Sequence, residues 1–328
     1  MKKLLNKKNI ISVIVTVALY IAITLLMTSG MLSRQYQSLL VPVGINVILA
    51  VSLNLTVGFL GELTLGHAGF MSVGAYTGCL FTIYMDLPTY IEFPIALLIG
   101  GIVAALFGII IGVPALRLKG DYLAIVTLAF GEIIRSVFTN MNITGGAGGL
   151  KGIDKTTNYT MVYVLIVITV LVISNLVKSR HGRAICSIRD NIIASESVGI
   201  NVVYHKLLAF VVAAFFAGVA GVLYGHNLGI LKPDTFDFNK SIEILVMVVM
   251  GGMGNILGSI IAAIVITILP EVLRGLADYR MLIYSVVLIL MMILNASPKF
   301  AEYKENLFSK IKIKKVARKE NGDGTIRG

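Results

Sequence analysis

The chain has 328 residues, of which 57% are hydrophobic and 14% charged, and its net charge is +11. An ordinary soluble domain carries about 25% charged residues, so this composition excludes a water-soluble fold. The basic excess does not point to nucleic acid, because the lysines and arginines fall at the ends of apolar runs and in loops, where charge orients a chain in a bilayer.

Lys2, Lys3, Lys7 and Lys8 precede the first apolar run, Ile10 to Ser29. A basic start before an apolar run also describes a secretory leader. This run is longer than a leader core of about 7–15 residues, and the stretch from Met27 to Met31 is no small-x-small cleavage site, so it reads as a retained span. Leu39 to Val57 and Tyr159 to Val177 are similar runs, long enough at about 1.5 Å per residue for a hydrocarbon core of about 30 Å. Followed down the chain, the pattern predicts an all-α, polytopic transmembrane helix bundle of about ten spans. One membrane domain would occupy residues 10–298, between a basic N-terminus (1–9) and a basic tail (299–328).

With a cytoplasmic N-terminus, the inner segments hold 20 of the 28 lysines and arginines, so both termini are expected to be cytoplasmic. The segment from Ile242 to Leu273 is too long for one crossing and is punctuated by Gly251, Gly252, Gly254 and Gly258. Two crossings with a tight turn, or a re-entrant pair of half-helices, would each keep the lysine-rich tail inside.

No Gly-x-x-x-x-Gly-Lys-Ser/Thr phosphate loop occurs, and in Gly145-Gly-Ala-Gly-Gly-Leu-Lys-Gly the lysine follows leucine. The four histidines form no metal spacing and no Gly-x-Ser-x-Gly elbow is present, so enzymatic activity is not expected. Cys79 lies within a span and Cys186 in a basic loop, too differently placed for a disulfide.

Polar residues inside the spans are the better guide to function, because charge at the bilayer centre is costly and faces the bundle interior. Glu132 and Arg135 share a helical face, either as a structural ion pair or lining a substrate path. Glu62 and His67 flank a turn weakened by Gly58, Gly61, Gly66 and Gly69, a pattern that fits either a transport site or close helix packing. Gly58-x-x-Gly61 followed by Gly66 is echoed by Gly251-x-x-Gly254 followed by Gly258, one pattern in each half of the chain. Gly66, His67, Gly69, Glu132, Gly251 and Gly254 are the candidates for the substrate path.

The loop from Lys178 to Lys206 is predicted to be cytoplasmic. From Arg183 to Val198 it has helix formers, with Ile185, Ile188, Ile192 and Ala194 to Ser195 as an apolar stripe. Asp190 and Asn191 interrupt it, and Gly199 supplies a C-terminal stop. Such a helix either rests on lipid headgroups through its arginines or meets another protein.

At this loop the sequence resembles the permease subunits of ATP-binding-cassette importers for branched-chain amino acids, the LivM type. The matching stretches include Gly66-His-Ala-Gly-Phe, Pro114-Ala-Leu-Arg-Leu-Lys-Gly-Asp-Tyr, Thr144-Gly-Gly, Gly149-Leu-Lys-Gly-Ile and Arg180-His-Gly-Arg-Ala. They continue through Ser197-Val-Gly-Ile-Asn, Lys206-Leu-Leu-Ala-Phe, Pro233-Asp-Thr-Phe and the run from Ser241 to Gly254, in order over about residues 40–298.

The resemblance implies a permease working with a second, related permease subunit, two cytoplasmic ATPase subunits and an extracytoplasmic solute-binding protein, in a bacterial-type plasma (inner) membrane. No cofactor is expected in this chain, ATP and Mg belonging to the partner ATPases. The stretch matching the family's ATPase-docking signature narrows the useful part of the loop to the helix from about Ser187 to Val198 and its stop at Gly199, and implies contacts from Ser187, Ile188, Arg189, Asp190 and Asn191, and from Ala194, Ser195, Glu196, Ser197, Gly199, Ile200 and Asn201. Ala194-Ser-Glu-Ser-Val-Gly departs from the family's usual Ala-Ala-Glu-Ala-Leu-Gly by serines at two alanine positions. Three alternatives stand beside this reading. A urea or short-amide permease of the same class is one; an ion-coupled secondary transporter, with Glu132 and Glu243 as its carboxylates, is another. A membrane scaffold leaves the paired glycine breaks unexplained.

Overall fold

The structure, a computed structural model, describes residues 7–29, 33–85, 87–118 and 120–273, with a few isolated positions between 282 and 289. Residues 1–268 form one compact unit; of the second unit, 269–328, the described part is chiefly the end of the last helix.

The described residues form eleven α-helices: α1 (Lys7–Thr28), α2 (Arg34–Asn54), α3 (His67–Tyr84), α4 (Thr89–Ala115), α5 (Asp121–Asn140), α6 (Tyr159–Lys178), α7 (Arg180–Asp190), α8 (Ile192–Ser197), α9 (Val202–Leu228), α10 (Phe238–Gly251) and α11 (Ile256–Val272). α2 runs on into a π-helical turn, Leu55–Leu60, which Gly61 ends in the left-handed conformation at φ 80°. The two strands among these residues, β1 (Leu150–Lys151) and β2 (Ile230–Leu231), pair antiparallel. The fold is therefore all-α. Five of its helical stretches are long and apolar enough to cross a membrane: Gln35–Leu60, Thr89–Ala115, Asp121–Asn140, Tyr159–Lys178 and Val202–Leu228.

α2 and α9 form the interior. The most apolar stretch of α2 is 83% buried and that of α9 67%, against 17% for α6. α9 achieves this with small residues: Ala213, Ala214, Ala217, Gly218, Ala220 and Gly221 are all buried. A methyl built on Gly74 of α3 would lie 2.2 Å from the Gly218 Cα, and one on Gly221 would lie 2.0 Å from the Met71 carbonyl oxygen. Without side chains in the way, the backbones of α3 and α9 pack directly on each other, which is how helices associate where water supplies no driving force.

Contacts along the helices give their directions. Gly69 meets Gly131, and Tyr76 stacks on Phe138 at 4.3 Å, so α3 and α5 run parallel. Phe93 packs edge-on against His226 while Gly112 lies on Leu207, so α4 runs antiparallel to α9. The short α7 and α8 lie at one end of the unit, where α9 begins.

Two expectations are corrected here. The chain from Ser187 to Val198 is not one helix, because Asn191 is extended (φ −160°, ψ 107°) and separates α7 from α8. The loop also ends before Lys206, since Val202 to Lys206 already belong to α9. The long glycine-punctuated segment, by contrast, is two helices as expected: α10 and α11 meet at a tight turn where Gly251 approaches the Gly258–Ser259 backbone.

Candidate functional site

The end of the unit carrying α7 and α8 is built by local capping chemistry. The Ser179 hydroxyl accepts from the Gly182 amide (3.2 Å) and starts α7. The Asn191 side chain accepts from the Ala194 amide (3.0 Å) and starts α8. α8 then ends with Gly199 at φ 85°, the Gly199 amide donating to the Glu196 carbonyl (2.9 Å) and the Ile200 amide to the Ser195 carbonyl (3.0 Å). These paired bonds are the Schellman arrangement, which needs a residue that tolerates positive φ. The Asn201 side chain accepts from the Tyr204 amide (3.0 Å) and opens α9. Three consecutive caps fold this stretch into a compact two-helix step.

The apolar residues of the step divide between two surfaces. Ile185 and Ile188 on α7 are each 1% exposed, covered by this chain itself, and Ser195 is buried beneath α8. Ile193 is 79% exposed and Val198 75%. The stripe that the sequence left in need of a cover is thus already covered at α7, and the open apolar surface sits on α8, one residue off the expected positions. Of the expected docking residues, Ile188 and Ser195 face inward; Arg189, Asp190, Asn191, Ala194, Glu196, Ser197, Gly199 and Asn201 are exposed, and Ser187 and Ile200 lie between. Burial raises the thiol pKa of Cys186, on α7.

Arg189 connects this step to the glycine breaks. Its Nε and Nη2 donate to Asp190 (3.1 and 2.9 Å), and its Nη1 donates to the Gly58 carbonyl (3.3 Å). A methyl on Gly61 would lie 2.6 Å from the Arg189 Cγ. The Asn54 side chain accepts from the Gly254 amide (2.9 Å), and a methyl on Gly58 would lie 2.2 Å from that same nitrogen. The two echoed glycine patterns, one from each half of the chain, are therefore in contact with each other beneath α7.

The other substrate-path candidates have neighbours of their own. Gly66 caps α3 and presses on the Thr127 carbonyl, and Gly69 lies on Gly131. His67 is buried and shares a hydrogen bond of 2.9 Å with Ser52. Glu132 is bonded by the Arg135 Nε (2.8 Å), and Arg135 also reaches Asp234 (3.1 Å). Gly251 packs on the Gly258–Ser259 backbone.

Sequence reasoning missed two charged partners. Lys206 forms a buried ion pair with Glu62, the two side chains 6% and 11% exposed. Lys240 bonds Asn46 (3.3 Å) and Glu243 (3.0 Å). The i, i+3 spacing of Lys240 and Glu243 was visible in the sequence, whereas the partners 144 and 194 positions away were not.

Residues 35–296 match the family described as the branched-chain amino acid transport system permease component. The chain is 37% identical over 284 residues to the high-affinity branched-chain amino acid transport system permease protein LivM of Escherichia coli (strain K12), covering 76% of this chain and 66% of that relative. It is 25% identical over 269 residues to the ribose import permease protein RbsC of Haemophilus influenzae, covering 76% and 81%. To the LivH permease protein of the same Escherichia coli system it is 27% identical over 134 residues, 40% of this chain and 43% of that one. The match thus spans just under two thirds of the length of the LivM relative. No solved structure matches the chain. A match over this much of the chain identifies it as a member of the branched-chain amino acid transport system permease family.

Proposed function

We propose that this chain is the permease subunit of a binding-protein-dependent ATP-binding-cassette importer that carries branched-chain amino acids across a bacterial-type inner membrane. It pairs with a second, related permease; a likeness to both LivM and LivH supports a pair of common descent. Two cytoplasmic ATPase subunits, holding ATP and Mg, supply the energy, and an extracytoplasmic binding protein delivers the solute. The membrane domain covers residues 10–298 with about ten crossings and both termini cytoplasmic. The alternating helix directions, with α7 and α8 at the end where the basic loop lies, fit that orientation.

The observation that carries the reading is α8. A helix resting on lipid headgroups presents lysine and arginine on its polar face. α8 has the sequence Ile-Ile-Ala-Ser-Glu-Ser, with no basic residue, one carboxylate and an exposed Ile193 followed by the exposed Val198. An apolar surface with an acidic rim suits a groove on a protein partner better than an anionic membrane. The step α7–α8 is then the contact through which ATP-driven motion reaches the bundle, and Glu132 and the glycine breaks belong to the moving parts.

Affinity capture of the tagged chain from a membrane extract tests this reading. A nucleotide-binding subunit and a second permease are expected in the eluate, and the assembly reconstituted with its binding protein takes up leucine on addition of ATP. Recovery of the chain alone, with leucine uptake driven by a proton or sodium gradient, would overturn it in favour of a secondary transporter.

A further inference from the structure

The geometry points to Lys240 and Glu243 of α10, seated on Asn46 of α2, as a contact point for the α-carboxylate and α-ammonium of the transported amino acid. This rests on the proposed import of amino acids.

Depth is the first argument. Asn46 lies near the middle of the Gln35–Leu60 stretch, about 16 Å from one end and 21 Å from the other at about 1.5 Å per residue. The Lys240 ammonium donates to the Asn46 Oδ1, which puts a full positive charge near mid-span. Asn46 itself is fixed, because its amide nitrogen donates to the Thr267 hydroxyl of α11 (2.9 Å). One side chain thus ties α10 and α11 and holds the lysine.

Exposure is the second argument. The buried pair Lys206–Glu62 is closed off on every side, with side chains 6% and 11% exposed. The Lys240 and Glu243 side chains are 19% and 33% exposed. Charges at this depth do not face hydrocarbon; they face a water-filled path or another protein. Lys240 and Glu243 therefore mark the side of α10 that looks into the route between the subunits.

Chemistry is the third. The ammonium and the carboxylate are 3.0 Å apart and bonded to each other. An α-amino acid zwitterion carries the same two charges on groups joined to one carbon, so it can exchange with this contact: its carboxylate takes the lysine and its ammonium takes the glutamate. The exchange replaces one ion pair within the protein by two to the solute and leaves no charge unpaired. It reads only the part common to all α-amino acids and leaves the choice of side chain to the binding protein.

The test uses the complete reconstituted assembly with leucine as the probe. Lys240→Met and Glu243→Gln should each lower ATP-driven uptake at limiting leucine about tenfold or more, the scale of one lost charged hydrogen bond. Assembly and unstimulated ATP hydrolysis should stay unchanged, and Lys240→Arg should retain most of the uptake. In a Cys186→Ser background, Lys240→Cys and Glu243→Cys should each give a thiol that reacts with a charged, water-borne methanethiosulfonate, and leucine should slow that reaction. Normal uptake by both charge-removing variants overturns the inference. So does a thiol that is unreactive in the assembly but reactive in the lone permease, which would assign the pair to the contact between permeases. If the wild-type assembly shows no ATP-driven uptake, the proposed function fails, and the leucine protection measured on the membrane-inserted chain still decides the site.

Discussion

Replacing both exposed apolar residues of the α8 step, Ile193→Asp and Val198→Asp, separates docking from folding. Full burial of a Val or Ile side chain contributes about 1.5–3 kcal/mol, and Ile193 and Val198 still have 79% and 75% of their surface open, so most of that gain remains for a partner to realise. Forfeiting it at both positions, and setting a carboxylate against the partner's apolar groove, should weaken the ATPase contact by at least about 2–3 kcal/mol, or roughly a hundredfold in affinity. The permease itself should be unaffected, because neither side chain touches its core. A matching control is Ile185→Asp, which puts a charge at a site 1% exposed and should cost the chain its own stability by about 3 kcal/mol or more. Capture of the ATPase from detergent extracts, leucine uptake in reconstituted vesicles and a thermal melt of the purified permease read the three quantities separately. The double variant should lose capture and uptake with an unchanged melting temperature. Unchanged capture and uptake would refute the assignment of α8 as the docking surface, and a lowered melting temperature would show that the two residues serve the fold.

Arg189→Ala removes the guanidinium that reaches the Gly58 carbonyl; because this side chain is 40% exposed, the expected loss of stability is only about 1 kcal/mol, while the ratio of leucine transported to ATP hydrolysed in vesicles should fall. Glu62→Gln alone leaves the Lys206 charge buried and unpaired and should cost about 3–5 kcal/mol, whereas Glu62→Leu combined with Lys206→Met should restore most of the loss. A double-mutant cycle on thermal stability checks that sign. Gly74→Val drives a side chain into the Gly218 backbone at 2.2 Å and should cost at least about 1–3 kcal/mol, seen as aggregation on size exclusion. Gly199→Ala is milder: a methyl there meets nothing within 4 Å, so only the left-handed backbone resists it, by about 1–2 kcal/mol, and uptake should fall modestly. Loss of all uptake in that variant would mean that α8 depends on the glycine for more than its stop.

The sequence made some of these features legible and hid others for physical reasons. Apolar runs announced the helices because a bilayer demands them, and the run from Tyr159 coincides with the start of α6. Periodicity located Ile185 and Ile188 on one face but carried no information on whether this chain or another protein covers that face. Asn191 reads as a mere interruption when helix propensity is considered, yet its side chain is an N-cap acceptor and starts a second helix. Lys206 follows a basic loop in sequence and so looked like part of it. Its burial depends on Glu62, 144 positions away, and no local pattern encodes such a pair.

The glycine echo shows how a correct pattern can carry a different meaning once distances are known. Corresponding breaks in two halves suggested a site deep in the membrane, whereas Gly58 and Gly254 meet under α7, with the Arg189 guanidinium bonded to the first and a methyl on the second falling 3.5 Å from its Nη1. Glycine is required there because the end of α2 and the turn after α10 leave no room for a side chain between them. A displacement of α7 thus reaches α2 and the α10–α11 turn through one side chain. From that turn α10 runs back past Glu243 to Lys240, about 12 Å and 17 Å from Gly251 at about 1.5 Å per residue. A helix transmits such a shift along its axis with little loss, so one rigid element links the turn beside the docking step to the part-exposed charge pair in its first half. If that element is the link, Arg189→Ala should blunt the ATP-dependent change in thiol reactivity at position 243 while leaving the reactivity without ATP as it is. An ATP response at full size in that variant would mean that motion reaches α10 by another route.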